Sequence, residues 1–243
     1  MKREPDMQEF DKQKDAAPVA EVASPGENRV HRILVLLLLL LMVVEWIALL
    51  LDQRWLSSFL ATLVIATLLS PLIFRRKMDV EIPAEFHITA VVFIFASLYL
   101  GEIQDFYHRF WWWDKVLHTS AGLLMGIVGF FLVYLLNESK RIGLHMTPIF
   151  ISLFACLFAV AIGTFWEIFE FFMDQLFGFN MQTPMLSDPS GLTDTMWDMI
   201  VNAIGALIIS SMGWWYLKRK QAFFVKDWIR KFIRKNPRMF NRG

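Results

Sequence analysis

The stretch ILVLLLLLLMVVEWIALLL, residues 33–51, decides the fold class. Glu45 is its only ionisable side chain. As a helix rising 1.5 Å per residue it reaches about 28 Å, close to the hydrocarbon thickness of a bilayer. The polar residues 1–31 precede it, its apolar run is too long for the core of a signal peptide, and no small-x-small cleavage pattern follows. It therefore reads as a retained first membrane span.

Outward from it, five further stretches have the same character: Leu56–Phe74, Ile82–Gly101, Lys115–Leu136, Pro148–Phe172 and Thr195–Leu217. The third is the weakest because Glu85 and His87 lie near its start, and the fifth is longer than a minimal span. Composition agrees: the chain of 243 residues is 56% hydrophobic and only 19% charged, with a mean hydropathy of +0.45. Soluble domains carry roughly 45–50% apolar and about 25% charged residues. The single cysteine, Cys156, excludes an intrachain disulfide and argues against a cysteine-based metal site.

Orientation follows from lysine and arginine, which stay preferentially on the cytoplasmic side. Arg75, Arg76 and Lys77 fall in the second loop and Lys140 and Arg141 in the fourth, on the same side as both basic termini. The opposite side holds only Arg54, Arg109 and Lys115, a division of 21 against 3 that alternates loop by loop. The expected architecture is an all-α, polytopic membrane helix bundle of six transmembrane helices with both termini cytoplasmic, in a bacterial inner membrane. Residues 1–31 read as a disordered cytoplasmic segment, 32–217 as the membrane domain and 218–243 as a basic tail. Within the tail, QAFFVKDWIRKFIRK (221–235) alternates apolar and basic residues as an amphipathic helix suited to an anionic inner leaflet. Membrane lipids are its expected partner, and nucleic acid is not.

Ionisable groups inside a membrane are costly and mark function. In span four, Asp114 and His118 share a helical face with Gly122, Gly126 and Gly129 further along. In span five, Glu167, Glu170 and Asp174 lie on one face, with Gly163 and Ala159 deeper. In span six, Asp194, Asp198 and Asn202 are successively four apart, followed by Gly205 and Ala206. Small residues let membrane helices approach closely. The three faces are therefore expected to pack together and gather their polar groups in one outward-facing pocket. Glu45 is a candidate fourth wall, and the segments GEIQDFYHRFWWWD (101–114) and NMQTPMLSDPSGLTD (180–194) are its expected surroundings.

Plainer alternatives attach to each group. Asp114 and Asp194 (or Thr193) could serve as helix caps, and Asp174 could be solvated. His118, Glu167, Glu170 and Asp198 could form a purely structural network, and Trp111–Trp113 could anchor the interface. The functional reading sees several carboxylates around one imidazole, with no embedded lysine or arginine to neutralise them. Such charge is relieved by protons or a cation, and oxygen ligands with one histidine suit zinc, manganese, magnesium, calcium or iron.

Three functions follow. The first is a metal-dependent hydrolase or transferase acting on a lipid-linked substrate. Here His118, Glu167, Asp194 and Asp198 would hold a divalent ion and Glu170 or Asp114 would serve as general base. The second is a proton or divalent-cation carrier, and the third a non-catalytic scaffold. Walker, Rossmann and HExxH patterns do not occur.

The motifs DKVLH (114–118) with SAGLLMG (120–126), WEIFE (166–170) and DTMWDMIVNAIGA (194–206) resemble the YjdF-type inner-membrane proteins of bacteria. The resemblance covers Glu102 to Leu217 and implies a multi-span membrane protein without supplying a reaction. DKVLH and the Asp198, Asn202, Gly205 spacing are also similar to VanZ-type membrane proteins, but the arginine-containing segment expected there is missing.

Overall fold

The computed structural model describes residues 25–78, 83–138, 146–219 and 224–236, with side chains for 33–71, 83–133, 146–219, Trp228 and 231–236. The described residues are helical apart from short connections and one isolated bridge, Met185 with Asp188. Helix α1 is Pro25–Leu51, α2 Trp55–Met78 and α3 Ala84–Ile94. The last runs without a break into a π-helical segment, Phe95–Ile103. A single turn, α4 (Phe106–Arg109), precedes α5 (Trp113–Glu138), α6 (Pro148–Phe177), α7 (Leu192–Lys218) and α8 (Phe224–Lys235).

Among the described residues, five apolar segments are long enough to cross a bilayer: Ile33–Leu51, Ala84–Ile103, Trp113–Val133, Pro148–Phe177 and Leu192–Lys218. The expected second span appears as the shorter apolar stretch Trp55–Pro71 within α2. The fifth expected span is the longest helix, at 30 residues. Thr147 caps its start by accepting from the Phe150 N–H, Pro148 fills the first turn, and Gly178 ends it in the left-handed region. Of the expected disordered segment, residues 1–24 lie outside the described residues, and α1 already begins at Pro25. The basic residues Lys140 and Arg141 also lie outside them.

Two packing groups make up the bundle. In the first, Met42 and Leu49 of α1 meet Ala61, Val64 and Leu68 of α2, Val91 of α3 and Ile103 of the π-helical segment. The opposite face of α1 stays bare: Leu36, Leu37 and Leu40 are each more than 60% exposed, as a lipid-facing surface should be. In the second group α5, α6 and α7 pack on one another around Ile127, Phe130, Ala155 and Ile209.

Helix α8 lies across the two groups. Trp228 stacks edge-on against Phe86 of α3, Phe232 does so against Phe131 of α5, and Lys231 pairs with Glu85. The described apolar residues of the amphipathic tail thus cover the bundle itself.

Candidate functional site

The polar faces of α5, α6 and α7 meet because nothing larger than glycine separates the backbones. A Cβ on Gly122 would collide with the Asn202 carbonyl oxygen, and one on Gly205 with the Thr119 carbonyl. At the third contact, a Cβ on Gly163 of α6 would occupy the space of the Asn202 side chain, whose amide donates to the Ala159 carbonyl at 3.4 Å. Close approach of this kind brings one turn of each helix within reach of the next. The result gathers Asp114 and His118, Glu167 and Glu170, and Asp194, Asp198 and Asn202 at one end of the three-helix group.

At the centre sits a residue that the sequence places with the loop charges. The Lys115 ammonium lies 2.6 Å from Asp194 Oδ1, 2.8 and 2.9 Å from the two oxygens of Asp198, and 3.2 Å from Asp114 Oδ2. The expectation of an acidic pocket without an embedded cation is therefore corrected. A lysine near a helix start can send its four-carbon stem sideways, across to the next helix. Asp198 is 1% exposed and Asp194 is 6% exposed, so this is a buried ion-pair network rather than a surface one. Asp194 also accepts from the Thr183 N–H at 2.9 Å, which anchors the 180–194 loop to the site. It does not cap its helix: the N-cap position of α7 is Gly191.

His118 bridges the other carboxylates. Its Nε2 is 3.4 Å from Asp114 Oδ1 and its Nδ1 3.4 Å from Glu167 Oε1. Glu167 is 3% exposed, and neither of its oxygens has a hydrogen-bond partner among the described residues. Glu170 accepts from the Trp166 indole at 2.8 Å and is an electrostatic neighbour of Glu167, His118 and Asp114. Five carboxylates thus gather around one ammonium, which touches three of them, and one imidazole; any charge these two do not balance calls for protons or a further cation.

Asp114, His118 and Asp198 each offer a ligand atom, all within 4.8 Å of one another. Two carboxylates and an imidazole fit a divalent ion of the zinc, manganese or magnesium kind. Glu167 has only long contacts, the His118 ring at 3.4 Å and the Thr195 hydroxyl, and none meets hydrogen-bond geometry among the described residues. A buried carboxylate held so loosely is costly unless a proton or a cation joins it. This candidate group shares His118 and Asp198 with the expected donor set and brings Asp114 beside them, while Asp194 lies against Lys115 and the Thr183 N–H.

The surroundings divide the remaining candidates. Asp174 is not merely solvated; it accepts from the backbone N–H groups of Met181 and Gln182 at 2.8 and 2.9 Å and fixes the chain where α6 ends. Asp188 accepts from the backbone and hydroxyl of both Ser190 and Thr193. The bonds from Ser190 and then Thr193 hold its carboxyl well below the usual carboxylate range.

Tyr107, unremarkable in the sequence, packs its ring on Gly101 and shares a 3.2 Å hydrogen bond with Ser97. Burial pushes its phenol above the ordinary range, and the nearby charges of Asp114, Glu102 and Glu170 push the same way. It remains a neutral hydrogen-bonding group beside the acidic site. Glu45 stands apart: it belongs to α1, which packs on α2, and its electrostatic neighbour is Tyr99.

Beyond Asn202 the group becomes dry. Ile127, Phe130, Ala155 and Ile209 fill it, and the buried hydroxyls of Ser152 and Ser210 have no partner among the described residues. An apolar layer thus underlies the polar cluster.

Comparison with known proteins agrees with the membrane character. The family described as "Predicted membrane protein (DUF2238)" matches residues 30–219, and the chain belongs to it. A Thermotoga maritima protein described as uncharacterized is 26% identical over 155 residues, covering 64% of this chain and 74% of that relative. No solved structure matches.

Proposed function

We propose that this member of the DUF2238 membrane-protein family is a metal-dependent hydrolase or transferase of YjdF type. Its site is at the outer surface of a bacterial inner membrane and its substrate is lipid-linked. The observation that carries the reading is Glu167: a buried carboxylate with no hydrogen bond of good geometry among the described residues, 3.4 Å from His118 and adjoining the Asp114, His118 and Asp198 group. A divalent ion held by those three residues would supply a Lewis acid and an acidified water. Glu167 is the proton acceptor, and His118 orients it from the side facing Asp114. Glu170, tied to the membrane-facing indole of Trp166, lines the approach from the lipid side.

An enzyme is favoured over a carrier because, among the described residues of α5, α6 and α7, the buried polar groups beyond Asn202 are the hydroxyls of Ser152 and Ser210 rather than charged side chains. A six-span, N-in and C-in arrangement goes with this reading. Helix α2, with 24 residues, is about 36 Å long and can serve as the sixth crossing, with Arg75–Lys77 at its cytoplasmic end. The basic helix α8 then lies at the inner face, where its net positive charge suits an anionic leaflet.

Metal analysis of the full-length protein purified in detergent tests the reading. About one divalent ion per chain is expected after equilibration with manganese or zinc, lost in His118→Ala and in Asp198→Asn. Failure of the folded wild type and of a folded Lys115→Met variant to take up an ion at millimolar concentration overturns the metal site. Reporter fusions at the loops and termini check the orientation.

A further inference from the structure

The ammonium of Lys115 touches both oxygens of Asp198 and one oxygen of Asp114, and these carboxylates are also two of the three ligands in the candidate metal group. A cation bound by Asp114, His118 and Asp198 would compete with the ammonium for the Asp198 oxygens and repel it at close range. We propose that Lys115 is a tethered place-holder cation: it occupies the metal's share of Asp198 and Asp114, keeps the site in a self-inhibited state, and must swing away for a divalent ion to bind. The inference rests on the metal-site reading above and adds how occupancy of that site is regulated.

Three observations support it. First, the ammonium is shared among three carboxylates from two helices, α5 and α7, which is the coordination pattern of a cation rather than of a single salt bridge. Second, the place-holder does not satisfy the whole chamber. Glu167 lies buried beside His118, outside the reach of the Lys115 ammonium, so the site keeps an acidic group that the lysine does not touch. Third, the side chain has an exit. Lys115 keeps 17% of its side-chain surface exposed while Asp198 keeps 1%, so the lysine lies on the open side of the carboxylate it covers. Its stem is flexible and its charge is a compact point, so it can leave without displacing a helix. Asp194 holds the ammonium most tightly and lies outside the ligand group. It is the residue that parks Lys115 in place.

The test is manganese binding to the full-length, detergent-solubilised protein, followed by the free-ion signal in electron paramagnetic resonance. Lys115→Met is expected to bind manganese about tenfold more tightly than the wild type, a difference of about 1.4 kcal/mol. Its thermal midpoint should fall with chelator and recover with manganese. Asp194→Asn loosens the lysine without removing a ligand and is expected to tighten binding in the same direction. This variant decides the matter if Lys115→Met does not fold. Adding His118→Ala to either variant should abolish the gain. Wild-type binding that is unchanged or weakened by both substitutions overturns the place-holder and leaves the metal site standing. Absence of manganese binding in the wild type and in both variants overturns the metal site and the place-holder together.

Discussion

The two packing groups of this bundle are built from opposite materials. Around α1 and α2 the contacts are large aliphatic side chains, Met42, Leu49, Val64 and Leu68, and α1 turns bare leucines outward. Around α5, α6 and α7 the contacts are glycine against backbone, with Asp198, Asn202 and Glu167 buried between them. Lipid tails are as apolar as leucine, so an aliphatic seam gains only van der Waals contact, and a neighbouring helix can shift along it. A seam of glycines carrying fully buried polar groups has one register. The first group is a framework, and the second holds side chains at fixed distances, as chemistry requires.

The sharpest way to break that contrast is to add volume. Gly122→Leu or Gly205→Leu drives a side chain into a facing carbonyl that cannot rotate away. Overpacking typically costs ~1–3 kcal/mol, and here about 3 kcal/mol or outright failure to fold is expected. Leu40→Ala on α1 should stay within about 0.5 kcal/mol. Thermal unfolding in detergent, read by tryptophan fluorescence, compares them, and equal losses would erase the distinction.

Next comes the ion network. Removing one partner of a buried pair costs ~3–5 kcal/mol. Lys115 keeps Asp194 and Asp114 in Asp198→Asn, so a loss of about 2 kcal/mol is expected there, partly recovered in the double variant with Lys115→Met.

What the sequence made legible depended on which physical quantity was needed. The spans follow from hydropathy over about twenty residues, and the site faces from the four-residue spacing of Asp194, Asp198 and Asn202 and of Asp114 and His118. Both quantities are local. The central position of Lys115 is not: a lysine at the first turn of a span reads the same whether its stem points to water or to Asp198 on another helix. Helix adjacency was likewise illegible for Glu45, whose position in an outer half-span says nothing about which neighbour it meets. The π-helical turn at Phe95–Ile103, and with it the placement of Tyr107, carries no periodic signature that hydropathy could reveal.

Smaller effects probe the seam between the groups. Phe232→Ala removes the edge contact with Phe131 that helps hold α8 down, worth ~0.5–1.5 kcal/mol. It should appear as faster proteolysis of the tail with the membrane helices intact. Asp188→Asn should act only locally, raising amide exchange across residues 180–193 several-fold. Because its carboxyl is held below the ordinary range, its bonds are complete above the usual aspartate pKa of about 3.9 and are lost as pH falls towards the lowered value. Acidification of the wild type should therefore imitate the variant. Glu85→Gln is the mildest: the pair with Lys231 is partly exposed, and a change within about 0.5 kcal/mol is expected.

The dry floor of Ile127, Phe130, Ala155 and Ile209 has an electrical consequence. A membrane potential does about 2.3 kcal/mol of work per elementary charge per 100 mV across the insulating distance. In the orientation proposed above, most of that distance falls in the apolar layer beneath Asn202, so an ion or proton reaching Glu167 from the outer face would cross little of the field. Energising or collapsing the membrane should then leave the protonation of the polar cluster almost unchanged.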